Sequence, residues 1–182
     1  KCCQFYQYYQ QPPMSAPGSS STMQALQWSA VEERLSLVTV PVPTTPGDDD
    51  QVLVKVGYSG VCGTDLHIIK KEVHAAQKVI LGHEFGGTVV AIGNKVTSLK
   101  VGNKATSLKV GDKVAVDPYL ACGSCRFCVR GQVHFCTTRK AFGMLQDGGF
   151  AEYCKVPVAV VTKTADSLPG RMAMLIEPYS CI

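Results

Sequence analysis

The stretch CGSCRFCVRGQVHFC, from Cys122 to Cys136, carries four of the chain's nine cysteines at the spacing C-x2-C-x2-C-x7-C. Sulfurs this close can hold a soft metal or pair as disulfides. A C-x2-C turn aims two sulfurs at one ion, and Cys122, Cys125, Cys128 and Cys136 together supply the tetrahedral all-thiolate set that zinc prefers. Gly123 and Gly131 give the turns their freedom. Arg126, Arg130, Arg139 and Lys140 offset the negative charge of a zinc tetrathiolate. An iron–sulfur cluster is the main rival. The bacterial ferredoxin run has a shorter last gap and a proline after its final cysteine, whereas here the gap is seven and Thr137 follows. Disulfides belong to oxidising compartments, and the opening KCCQFYQYYQQPP lacks the apolar stretch of a secretion signal. A reducing, cytoplasmic setting is expected, in which this spacing reads as a metal site.

A second set of donors lies upstream in GVCGTDLH (60–67) and GHEFGG (82–87). Cys62, His83 and Glu84 are three zinc donors drawn from two segments. Each is weak evidence alone, because a single cysteine is usually a small buried hydrophobe. A single histidine is more often a satisfied core residue than a ligand. Thr64 and Asp65 could simply start a helix, and His67 could sit on the surface. His74, His134, Cys154 and Cys181 read as bystanders, and Cys2 and Cys3 fall in the first segment.

The elements that must position these donors read as β. Residues 1–22 are rich in Gln, Tyr, Ser and Pro without periodicity and are expected to be a disordered tail or translated leader, with order beginning at Met23. Strands are expected at 23–28, 35–40, 51–60, 87–93, 113–118, 150–156 and 159–163. Val52, Val54 and Val56 should share one face of the third of these, with Leu53 and Lys55 on the other. A short helix is expected over 64–71 with Thr64 as its N-cap. The nine residues NKVTSLKVG (94–102) are followed at once by NKATSLKVG (103–111). An odd insertion inside a strand would exchange its two faces downstream, so a loop extension or extruded hairpin is the tolerable outcome. The whole reads as a mostly antiparallel, barrel-like β domain with short helices.

Composition excludes several classes of function. Hydrophobic residues make up 46% and charged residues 18% of 182, which is ordinary globular usage. No apolar run reaches the roughly 18–20 residues of a membrane span. The net charge of +4 comes from scattered lysines with no basic stripe, so neither a membrane nor a nucleic-acid partner is expected.

GVCGTDLH, LGHEFGGTVVAIG, KVGDKVAVDPYLACGSCRFC, GGFAEY and IEPYS occur in that order between residues 23 and 180. Taken together they resemble the catalytic domain of the zinc-containing medium-chain alcohol/polyol dehydrogenases. The resemblance implies a mainly β fold, a GroES-like partly open β-barrel with short helices and a four-cysteine zinc lobe at about 117–140. It implies a structural zinc on Cys122, Cys125, Cys128 and Cys136. It implies a catalytic zinc on Cys62 and His83, with Glu84 as ligand or close neighbour. Glu177 falls where alcohol dehydrogenases proper carry a cysteine ligand and where sorbitol- and threonine-dehydrogenase-like members carry Glu-Pro. This tilts the substrate toward a polyol or other secondary alcohol. Asp65 would orient His83, Thr64 would take the substrate's hydroxyl proton, and His67 would relay it to solvent.

The resemblance implies NAD or NADP and a homo-oligomer for the full-length protein. The chain carries no G-x-G-x-x-G fingerprint of a Rossmann domain. It is therefore expected to be the amino-terminal part of such an enzyme: a catalytic domain over 23–177, a link at 178–182, and no turnover by itself. A stand-alone zinc-binding module is the competing expectation.

Overall fold

The computed structural model describes residues 17, 21–44, 49–96, 99–101, 104–106 and 108–181. The expected tail falls almost wholly outside them. Strands β1 (Thr22–Ser29) and β2 (Arg34–Pro41) form a hairpin in the register Leu26 to Leu37. Then come β3 (Gln51–Gly60), helix α1 (Gly63–Ile69), β4 (Lys78–Ile80) and β5 (Glu84–Ile92). Two three-residue strands follow, β6 (Leu99–Val101) and β7 (Lys104–Thr106), and then β8 (Lys113–Val116) and β9 (Tyr119–Leu120). The chain continues with β10 (Lys140–Ala141), β11 (Tyr153–Pro157), β12 (Val161–Lys163), α2 (Gly170–Ala173) and α3 (Ile176–Ser180).

The described strands pair antiparallel into two main sheets, ordered β11-β3-β5-β8-β12 and β2-β1-β4, with two small ladders, β9/β10 and β6/β7. Curled sheets with few helices make the mainly β, partly open barrel expected above. Strand β3 is an inner strand, buried on both faces over Val52, Leu53 and Val54. Val52 and Val54 pack with Phe85, Val89, Val114 and Val156, while Leu53 packs with Met23, Ala25, Val42 and Ile80 between the sheets. Removing side chains of this size from water stabilises the fold by about 1.5–3 kcal/mol each before entropy is counted.

The duplicated segment makes a hairpin that straddles the junction of its copies. The end of the first copy, β6, pairs with the start of the second, β7. Because the extra residues leave the five-stranded sheet, β8 keeps its register, with Val116 opposite Phe85.

Three expectations shift. Helix α1 begins at Gly63 with Cys62, not Thr64, as its N-cap. The strand expected at 150–156 starts only at Tyr153, with Ala151 making an isolated bridge to Ala25. Residues 158–160 form a 3-10 turn before β12. Strand β4 and the helices α2 and α3 are not expected from the sequence, since segments of three to five residues carry too little periodicity to read.

Candidate metal centres

The segment between β9 and β10 is folded almost entirely by turns. Its two 3-10 turns, Cys128–Arg130 and Val133–Phe135, are linked through Gly131, which adopts φ 75°. The turns bring the thiols of Cys122, Cys125, Cys128 and Cys136 within 4.8 Å of one another. Cys125 Sγ lies 3.5 Å and Cys122 Sγ 3.9 Å from Cys128 Sγ. Sulfurs about 2.3 Å from a tetrahedral zinc stand about 3.8 Å apart, so these separations match a zinc tetrathiolate. They are far longer than the ~2 Å of a disulfide. The backbone N–H of Cys125 donates to Cys122 Sγ and that of Cys122 to Cys136 Sγ, each at 3.3 Å.

The thiols do not titrate alike. The Thr138 hydroxyl, followed by backbone N–H groups of Ser124 and Cys125, holds Cys122 down at about 5. Burial and then Cys125 push Cys128 up to about 12. Neighbouring thiolates without a cation cannot all ionise together, and a dication removes that conflict. Arg139 supports the base of the lobe by donating to the His134 carbonyl while its guanidinium lies over the Tyr119 ring.

The second group forms where β3 ends, α1 begins and β5 begins. Cys62, His83 and Glu84 place one donor atom each within 4.8 Å of the others. His83 and Glu84 are both buried at 6% exposure. Gly60, the last residue of β3, pairs with Glu84 across the sheet. A Cβ at Gly60 would stand closer than 3.0 Å to the Glu84 carboxylate, so the absent side chain is the space that carboxylate occupies.

Asp65 joins the two ends of this group. Its Oδ2 accepts from the Cys62 N–H at 2.9 Å, capping α1. Its Oδ1 lies 3.6 Å from His83 Nδ1. Both of those facing atoms are buried without a hydrogen-bond partner. Burial alone would lower the basicity of His83, but Asp65 and then the Cys62 thiol carry it up to about 9. A soft sulfur, an imidazole facing a buried carboxylate and a second carboxylate make a donor set that fits zinc.

The other expected residues lie around this group. Thr64 Oγ1 is 3.6 Å from Cys62 Sγ. His67 is exposed and pairs through Nδ1 with Glu72. Glu177 stands on α3, outside the three-donor group, and α3 packs on β5 and β8. Burial holds the Glu177 carboxyl above the usual range, opposed by His83 and reinforced by Glu84 and Asp117. Cys181, read as a bystander, places its thiol 3.9 Å from Glu177 Oε1, one helical turn on. The signal for it is the four-residue spacing, which becomes informative only when the segment is known to be helical.

The model of the alcohol dehydrogenase GroES-like domain matches residues 48–166. The L-threonine 3-dehydrogenase of Pyrococcus furiosus is 39% identical over 163 residues, covering 87% of this chain and 44% of that protein. D-arabinitol dehydrogenase 1 of Uromyces fabae is 42% identical over 146 residues, covering 80% and 38%. A protein of Sinorhizobium meliloti 1021, assigned as a zinc-binding dehydrogenase and bound to NADP, superposes with a TM-score of 0.78 at 35% identity. That match covers 89% of this chain and 44% of the other. The chain thus spans less than half the length of the relatives it matches.

Proposed function

Because the chain belongs to the alcohol dehydrogenase GroES-like domain family, we propose that it serves as the zinc-binding catalytic domain of a dehydrogenase. The reaction is oxidation of a polyol or other secondary alcohol to a ketone, with NAD or NADP as hydride acceptor. The observation that carries this reading is the convergence of Cys62, His83 and Glu84 beside a separate four-thiol cluster. The relatives named for threonine and arabinitol support a small hydroxylated substrate.

Cys62, His83 and Glu84 would hold the catalytic zinc, with Glu177 as a further donor from α3. Cys122, Cys125, Cys128 and Cys136 would hold a structural zinc. Zinc at the first centre supplies a Lewis acid that lowers the pKa of a hydroxyl beside it. Asp65 holds the Nδ1 side of His83 and so leaves Nε2 for the metal. Thr64 takes the substrate's hydroxyl proton at Oγ1. His67, three residues on along the same face of α1, passes it to solvent. The whole protein acts in this reading as a cytoplasmic homo-oligomer.

The test is alcohol-dependent formation of NADH or NADPH by the zinc-loaded protein that the gene encodes. Polyols, threonine and simple primary alcohols make up the panel. Secondary alcohols should turn over, and Cys62→Ser should abolish turnover while leaving the lobe's zinc in place. Failure of every alcohol with both cofactors would overturn the reading.

A further inference from the structure

Behind His83 the chain is gripped by a loop that offers no side chain to the metal centre. Gly82, which precedes His83, adopts φ 90°. The segment 80–82 is bonded along its length to residues 147–150. Gly148 N donates to the Ile80 carbonyl at 2.9 Å, Phe150 N to that of Leu81 at 2.9 Å, and Gly149 N to that of Gly82 at 2.8 Å. Asp147 closes the set, its Oδ1 accepting from Ile80 N at 2.9 Å.

Two glycines permit this approach. A Cβ on Gly148 would stand closer than 3.0 Å to the Gly82 carbonyl oxygen and to the backbone of Gly143. A Cβ on Gly143 would come as close to the Gly82 carbonyl and to the His83 nitrogen. All of these neighbours are backbone, which cannot swing aside as a long side chain can. Gly143 also adopts φ 77°, where any side chain is strained.

We propose that Gly143 and Gly148 are positioning residues for the centre of Cys62, His83 and Glu84. Their loop, packed backbone to backbone on Gly82, sets the peptide from which the His83 imidazole is aimed. This rests on reading that centre as a metal site. Metal donors work only within about 0.5 Å of their productive geometry. A Cβ on Gly148 would lie 2.1 Å from the Gly82 carbonyl oxygen, inside the 3.0 Å that real Cβ atoms keep, so the two backbones must part by more than that tolerance. The four-cysteine lobe is built on other turns and serves as an internal reference.

The experiment loads the lobe of the full chain with zinc and then titrates cobalt into the second centre, following its visible d–d absorption. Gly148→Ala should weaken cobalt binding by about 10-fold or more, as disrupted outer support of a metal ligand does. The lobe zinc should be unchanged. Gly111 controls for strain alone, because it has φ 95° and a methyl group there would meet nothing within 4 Å. Gly111→Ala should lower Tm and leave cobalt affinity intact. Asp147→Ala removes one of the loop's two bonds to Ile80 without adding bulk, should weaken cobalt binding in the same direction, and stands in if Gly148→Ala does not fold. Equal cobalt affinity in wild type and the loop variants overturns the positioning role alone. Loss of cobalt affinity in Gly111→Ala in step with its Tm does the same. A wild-type chain that takes no cobalt at this centre overturns the metal reading and the positioning role with it.

Discussion

Asp65 connects a helix cap to His83, a candidate metal donor. One carboxylate oxygen holds the Cys62 N–H and the other faces His83. Asp65→Asn keeps the size but loses the charge that favours a neighbouring imidazole N–H. We expect metal affinity at the Cys62, His83 and Glu84 centre to fall by about 10–100-fold, with the lobe metal retained, as read by competition with a chromogenic chelator. Gly60 makes a different demand at the same centre. In Gly60→Ala the new methyl group meets the flexible end of Glu84, so the fold should survive while the carboxylate turns away. Metal binding at that centre should weaken with little change in Tm, and an unaltered affinity would argue that Glu84 is no donor. In the lobe, Cys125→Ser removes a sulfur that stands 3.5 Å from Cys128. Metal analysis should find the lobe zinc lost and thermal melting should show a lower Tm, because structural zinc contributes folding energy directly.

At the scale of elements, helix α1 carries Cys62 at its start and is held to the sheets by a small apolar cluster. Ile68 on the helix packs with Leu81, Trp28 and Val79. Leu81 is fully buried and lies two residues before His83. Leu81→Ala should therefore cost about 2–5 kcal/mol, measured by denaturant unfolding, and should weaken metal binding at the same time. Strand β12 is fastened differently. Lys163 Nζ lies 2.8 Å from the buried Asp112 carboxylate. Burial alone would raise the Asp112 carboxyl, but Lys163 and the Lys109 N–H bring it below its usual value. A carboxyl lowered on folding stabilises the native state fully above its unfolded pKa, and that contribution disappears as pH falls through the folded value. Between pH 5 and about 3 the wild type should thus lose stability more steeply than Asp112→Asn, in denaturant melts at each pH.

At the scale of the molecule, two donor groups sit on one curled β framework but are held in unlike ways. The four-cysteine lobe is closed by its own turns, pinched at the base where β9 pairs with β10. The Cys62, His83 and Glu84 group is assembled from β3, α1 and β5, and leans on the 143–150 loop and on α3. Chelator titration of the whole chain should accordingly release metal in two steps, with the second group emptied first and at nearly unchanged secondary structure. A single step with global unfolding would contradict this division.

Much of this is legible in the residues because the relevant signals are local. Thiols at two-residue gaps can reach one ion through a single turn, and the alternation of 51–60 reads as a strand from its own residues. That alternation assigns side chains to two faces of β3, but the burial of both faces depends on where β1, β4 and β11 come to rest. The order β11-β3-β5-β8-β12, the approach of Asp65 to His83 and the grip of Gly143 and Gly148 on Gly82 involve partners far apart along the chain. A spacing rule sees neighbours in sequence. Donors from 62, 83 and 84 meet, and a loop some 60 residues later fits behind them, only because long-range strand pairing and close backbone packing bring those segments together.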